Sequence, residues 1–291
     1  MVTHHEISLP DGRRLHVHEA GDPDGPVVIY HHGTPSCGFL LDLWCADAEA
    51  RGIRLLGPDR SGYGDSDPQP GRGLAEAVAD TVALADWAGA GRFRTWGVSG
   101  GGPHALACAA LVPDRVIAAA SVSGVAPYGV DGLDWTAGMG EENLEEFAKS
   151  LEGGAVLRTY LDEVAAQIVD PPEGGGDDVL ESLMCPADTA FTATPAGGQV
   201  TGTMPQGLVR GAQGWYDDDR VFVTPWPFDL AQITVPVLVT HGEDDRFVSI
   251  SHARWLAGHL PGADVVLRPG EGHLSMYARV PDVHAWLLDR A

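Results

Sequence analysis

Within the 291 residues, the stretch best suited to chemistry is Gly97-Val98-Ser99-Gly100-Gly101. It follows Phe93 to Val98, which reads as a short buried strand, and precedes the alanine-rich segment Pro103 to Leu111, which has proline where a helix begins. A serine with glycine two residues away on either side predicts a sharp strand-to-helix turn. Side chains at 97 and 101 would collide there, and the serine itself must take a strained backbone. Such a turn lifts the hydroxyl above the carboxyl edge of a parallel sheet and points the first helical amides at whatever the serine attacks. The chemistry implied is nucleophilic. Since a serine hydroxyl is a weak nucleophile at neutral pH, it needs a base within hydrogen-bond reach and a carboxylate to orient that base. A phosphate-binding glycine loop is the competing reading, but the G-x-x-x-x-G-K-[ST] pattern is missing and the chain's single lysine, Lys149, lies far off in sequence.

The elements that must carry this turn are legible from periodicity. Glu6 to Leu9 and Leu15 to Glu19 flank Pro10-Asp11-Gly12-Arg13 and read as a hairpin. Val27 to Tyr30 reads as a strand covered on both faces. Helices and strands then alternate: helix 40–50, strand 54–57, helix 75–88, strand 93–98, helix to Leu111, strand 116–122. This order predicts an α/β fold with a mostly parallel, doubly wound sheet. The alternation stops between Ser123 and Ile233, a gap far longer than the dozen or so residues a crossover needs. Helical stripes fall within it at Leu144, Phe147, Ala148 and Leu151, at Leu157, Leu161, Val164 and Ile168, and at Leu208, Ala212, Trp215 and Tyr216. Pro171-Pro172-Glu173-Gly174-Gly175-Gly176 reads as a flexible break between them. Alternation resumes with strand 235–240, helix 251–259, strand 265–267 and helix 282–288. The expected organisation is a discontinuous core, 1–124 and 230–291, with a helical cap, 125–229, inserted between strands 6 and 7.

With the serine turn in this setting, the sequence resembles the α/β-hydrolase superfamily, in its serine-nucleophile branch with an inserted helical cap. That resemblance implies the order serine, acid, histidine. His241-Gly242-Glu243-Asp244-Asp245-Arg246-Phe247-Val248-Ser249 is similar to the superfamily's acid loop and its register selects Asp245, with Asp244 as competitor and Asp131 or Asp134, after the sixth strand, as a remoter option. Gly272-His273 follows the last strand, where the superfamily places its catalytic histidine. His32-Gly33-Thr34-Pro35 resembles the H-G-x-P turn, so the resemblance implies an oxyanion hole from the backbone amides of Thr34 and Gly100. His31 and His32 are expected to brace that turn, and Pro58 to Ser66 to shape the loop beside it.

The implied enzyme is a carboxylesterase-like serine hydrolase. It would pass small or medium uncharged acyl substrates to water through an acyl-enzyme, with no metal or organic cofactor. Carbon-carbon bond or lactone hydrolysis on the same residues is the alternative, suggested by the acid loop's similarity to that of meta-cleavage-product hydrolases; a perhydrolase side reaction and a catalytically silent ligand-binding member are the others. Serine at position 99 disfavours the aspartate-nucleophile branches, such as the haloalkane dehalogenases and epoxide hydrolases. Trp135, Trp215, Tyr216, Trp226 and Phe228 are the aromatics that could meet substrate or pack the cap.

Composition sets the remaining bounds. With 41 acidic and 18 basic residues the formal charge is −23, which repels phosphate backbones and anionic membranes, so neither nucleic acid nor membrane is an expected partner. No apolar run approaches the roughly 18 residues of a membrane span, and the amino terminus runs into a strand without a leader, so a cytoplasmic location is expected. Four cysteines without C-x-x-C spacing argue against disulfides and structural zinc. The pairs His4-His5 and His31-His32 cannot readily chelate one ion, because neighbours on a strand face opposite ways.

Overall fold

A computed structural model describes residues 1–171 and 178–290. Most of the expected break at 171–176 lies outside the described residues. Eight strands form one sheet among them: β1 (Thr3–Ser8), β2 (Arg14–Gly21), β3 (Val27–His31), β4 (Arg54–Pro58), β5 (Phe93–Val98), β6 (Val116–Val122), β7 (Val237–Gly242) and β8 (Asp264–Arg268). Their order is β1-β2-β4-β3-β5-β6-β7-β8, antiparallel where β2 meets β1 and β4 and parallel across the rest.

Helices cover both faces. Along β3, Val27 and Ile29 point into a core shared with α2 (Leu74–Trp87) and α3 (Gly102–Leu111), while Val28 and Tyr30 point into a second core shared with α1 (Asp42–Arg51). This is why β3 is apolar at successive positions rather than alternate ones. Tyr30, Trp44 and Trp96 stack together in the second core, with Tyr30 and Trp96 centroids 4.3 Å apart.

Between β6 and β7 lie α4 (Glu141–Glu152), α5 (Gly154–Val169), α6 (Pro186–Thr192), α7 (Pro195–Gly207) and α8 (Gln213–Phe222). The chain closes with α9 (Ile250–His259) and α10 (Val280–Leu288). Two of the expected helical stripes differ in the structure. Leu208, Ala212, Trp215 and Tyr216 do not share one helix, because α7 ends at Gly207 and α8 starts at Gln213; the turn between them still delivers all four to one apolar cluster with Tyr63, Leu157 and Leu161. On α4, Phe147 is buried while Leu144 and Leu151 remain exposed. None of the described helices is long and apolar enough to cross a membrane.

Candidate active site

Ser99 sits at the end of β5 with φ of 53°, in the left-handed region that an L-residue enters only under constraint. The glycines around it are demanded by close approach. A Cβ at position 97 would overlap the Gly101 carbonyl, and one at 101 would overlap the carbonyl of His31. The turn Ser99–Gly101 passes directly into α3, whose amino terminus lies under the serine.

The acid and histidine loops meet beneath this turn's neighbourhood. His273 Nδ1 lies 2.7 Å from Asp245 Oδ2, both groups buried, so the carboxylate holds the ring with Nε2 facing away. Asp245 Oδ1 accepts the amides of Phe247 and Val248 at 2.9 and 2.8 Å, and His241 Nε2 lies 3.2 Å from Oδ2. Burial opposes the Asp245 charge, but His273 and His241 outweigh it and hold the carboxyl below the ordinary range. Burial likewise pulls His273 down, while attraction and the hydrogen bond from Asp245 leave it above its ordinary value. Phe247 stacks on the His273 ring at 4.7 Å. Asp244 is exposed and Asp134 lies beside a separate groove, and among the described residues His273 Nδ1 is paired with Asp245 and with none of Asp244, Asp131 or Asp134. Among the described residues no hydrogen bond joins Ser99 to His273, although both line one cavity; such bonds often tighten only when substrate binds.

Two carboxylates that motif reading missed come from the segment between β6 and β7. Asp188 on α6 accepts the amides of His273 at 2.9 Å and Ser275 at 2.8 Å, bracing the histidine loop. Asp218 on α8 reaches the turn that follows β3. Its Oδ2 receives Thr34 Oγ1 at 2.6 Å, Arg60 Nη2 at 2.5 Å and the Tyr63 hydroxyl at 2.9 Å, and Arg72 Nη2 lies 2.7 Å from Oδ1. Burial alone would raise the Asp218 carboxyl, yet Arg60 and Arg72 hold it well below the usual range. The acid and arginine of the Pro58 to Ser66 loop therefore part company: Arg60 binds Asp218, whereas Asp59 accepts the amides of Gly38 and Asp65 and the ring of His18. His32 donates from Nδ1 to the Gly33 carbonyl and accepts the Arg60 amide on Nε2; burial first, then Arg60, push its pKa far down. It is a neutral brace for the turn; the His31 ring, whose pKa burial lowers to about 3, faces α3 instead, stacking on His104 with Nε2 3.8 Å from Cys108 Sγ.

A cavity of about 460 Å³ opens between the strand ends and the inserted helices. Ser99, Gly100, Thr34 and His273 line its floor. Of the five aromatics noted in the sequence, only Trp215 lines it; the others there are Phe147, Tyr160, Phe222, Phe247 and Tyr277. Trp135 donates to the Ala126 carbonyl, Tyr216 lies under Arg158, and Trp226 packs on Phe228. Glu142, Glu145, Glu146 and Glu163 also line the cavity.

A glycine-flanked serine at the carboxyl edge of a mostly parallel eight-stranded sheet, with a histidine-carboxylate pair on the neighbouring loops, defines a class of architecture: the chain has the α/β-hydrolase fold. The family model described as alpha/beta hydrolase fold matches residues 26–154. The chain is 28% identical over 269 residues, 91% of each chain, to a non-heme chloroperoxidase of Streptomyces lividans. It is 26% identical over 250 residues, 83% of this chain and 82% of the other, to a bifunctional esterase/perhydrolase of Acinetobacter calcoaceticus. A thermophilic esterase from Thermogutta terrifontis superposes with a TM-score of 0.71 at 20% identity, covering 99% of this chain and 98% of that one.

Proposed function

We propose that the chain is a serine hydrolase that cleaves small or medium uncharged carboxylic esters. The observation that carries this reading is Ser99, held at positive φ on its turn, sharing one cavity with a histidine whose far nitrogen is paired to a buried carboxylate. In this reading Ser99 Oγ attacks the ester carbonyl while His273 Nε2 takes its proton. The amides of Thr34 and Gly100 receive the developing oxyanion, and Asp245 stabilises the imidazolium. His273 then protonates the departing alcohol, and water releases the acyl group by the same steps in reverse. The cavity's size and aromatic lining suit a compact acyl chain, and its four glutamates disfavour anionic substrates. Residues 125–229 act as the cap over a core of 1–124 and 230–291, a division supported by α4 to α8 falling between β6 and β7 and lining the cavity opposite the strand ends. Four free thiols suit a reducing cytoplasm. The esterase/perhydrolase relative supports both the ester reading and a side reaction with hydrogen peroxide in place of water.

The test is intact-protein mass after exposure to a fluorophosphonate. One adduct on the native chain, lost in Ser99→Ala, is expected; no adduct on folded native protein would favour a silent ligand-binding member. Turnover of a vinylogous diketone without turnover of short acyl esters would move the reading to carbon-carbon hydrolysis. Because a neutral His273 is the base and its pKa lies above the ordinary value of about 6.5, the acidic limb of kcat/KM is expected above that pH. Asp245→Asn is expected to lower kcat by about 10⁴-fold with the fold intact.

A further inference from the structure

Adjacent histidines on a strand diverge, but alternate ones and their cross-strand partners converge, and the first hairpin carries such a set. In the β1–β2 register His4 lies opposite His18 and Glu6 opposite His16, so these four side chains share one face. One ring nitrogen from each of His4, His16 and His18 lies within 4.8 Å of the others. His4 Nδ1 and His16 Nε2 are 3.3 Å apart, matching the spacing of about 3.3 Å that a tetrahedral zinc with Zn–N near 2.05 Å imposes on two of its ligands.

The outer partners are already in place. His16 gives its other nitrogen, Nδ1, to Glu6 at 2.5 Å, and His18 gives Nε2 to the buried carboxylate of Asp59 at 3.2 Å. Each carboxylate holds the ring's proton on the side away from the cluster and leaves the inward nitrogen with its lone pair. His18 is 7% exposed, and its remaining nitrogen, Nδ1, is buried with no hydrogen-bond partner. An orphaned imidazole nitrogen in a cluster of three is a ligand position. His4 is exposed, so an ion can enter from its side and keep water as a fourth ligand.

We propose that His4, His16 and His18 bind one divalent transition-metal ion, best fitted by zinc, with Glu6 and Asp59 orienting the ligands. The ion would clip the edge strand β1 to β2 and, through Asp59, to the loop after β4.

The test is calorimetric titration of zinc into the full, chelator-stripped chain, with thermal unfolding beside it. One equivalent is expected to bind, raising Tm by on the order of 5 °C at a hundredfold excess over Kd. His4→Ala and His16→Ala each weaken that binding by more than about 100-fold, and Glu6→Gln by about 10-fold. The control His259→Ala, an exposed histidine on α9, leaves it unchanged. His4 is exposed and His16 half-buried, so the His4→Ala variant in particular folds even if a change at buried His18 does not. Absence of a one-equivalent site, or a site that survives both His4→Ala and His16→Ala, overturns the proposal.

Discussion

Asp218 and Asp219 are neighbours on α8, both fully buried, and they hold their protons in opposite ways. About 100° of helical rotation separates them, so they enter different surroundings. Asp218 faces Arg60 and Arg72 and is held ionised. Asp219 faces Glu146 on α4 and accepts the Ser150 hydroxyl at 3.0 Å; burial first, then the Glu146 charge, push its carboxyl well above the usual range. Glu146, itself raised by burial, receives Trp215 Nε1 at 2.8 Å. One carboxyl group anchors the Thr34 turn through two cations, and the other is packed between α4 and α8, where burial and Glu146 favour its protonated form. Burial by itself therefore does not decide a carboxyl group's charge; the cations within reach do.

The largest effect expected from breaking this contrast is at Asp218. Asp218→Ala strands two buried guanidinium groups and should cost about 3–5 kcal/mol, read from denaturant midpoints. It should also lower kcat/KM, since Thr34 loses the group that receives its hydroxyl. The depressed pKa makes the Asp218 contribution complete above the unfolded value of about 3.9 and lost as pH falls through the folded one, so native protein and Asp218→Ala should converge on acidification.

Asp219→Asn should do the reverse. A raised pKa means that stability drains away as pH rises from about 4 through the folded value, and the amide removes that drain. The variant is expected to match the native chain near pH 4 and exceed it at pH 8 by on the order of 1 kcal/mol, seen as a rise in Tm. Glu146→Gln, which keeps an acceptor for Trp215, should move stability in the same direction by less. Equal losses from Asp218→Ala and Asp219→Asn would end the distinction.

Legibility in the sequence followed the range of the forces involved. β5 and β6 have the bounds read from the sequence, since both are dominated by apolar residues and stop at the glycine-bearing turns Ser99-Gly100 and Ser123-Gly124; the polar residues within them are paired or buried, Thr95 donating to the Ile29 carbonyl and Arg94 to that of Leu287. The Ser99 turn was legible because close backbone approach demands its glycines, whereas Asp245 and His273 were singled out by the resemblance of their loops to those of the superfamily; the structure brings these two side chains to 2.7 Å. The helices α6 and α7 were not readable. Gly197, Gly198, Gly202, Gly207 and the internal Pro205 give α7 a composition that propensity rejects, and packing overrides it: Gly207 lies so close to the Ser36 backbone that a Cβ would overlap it.

The amino-acid order by itself determined the serine turn, the alternation that builds the sheet and the short loops that bear Asp245 and His273, since each depends on residues within a few positions of one another. Tertiary structure alone decided that Asp188 holds the histidine loop, that Asp218 rather than Asp219 reaches the Thr34 turn, and that Trp215 alone of five aromatics faces the cavity. Those roles join positions up to 184 residues apart, and no local pattern encodes which face of a helix will meet which distant charge.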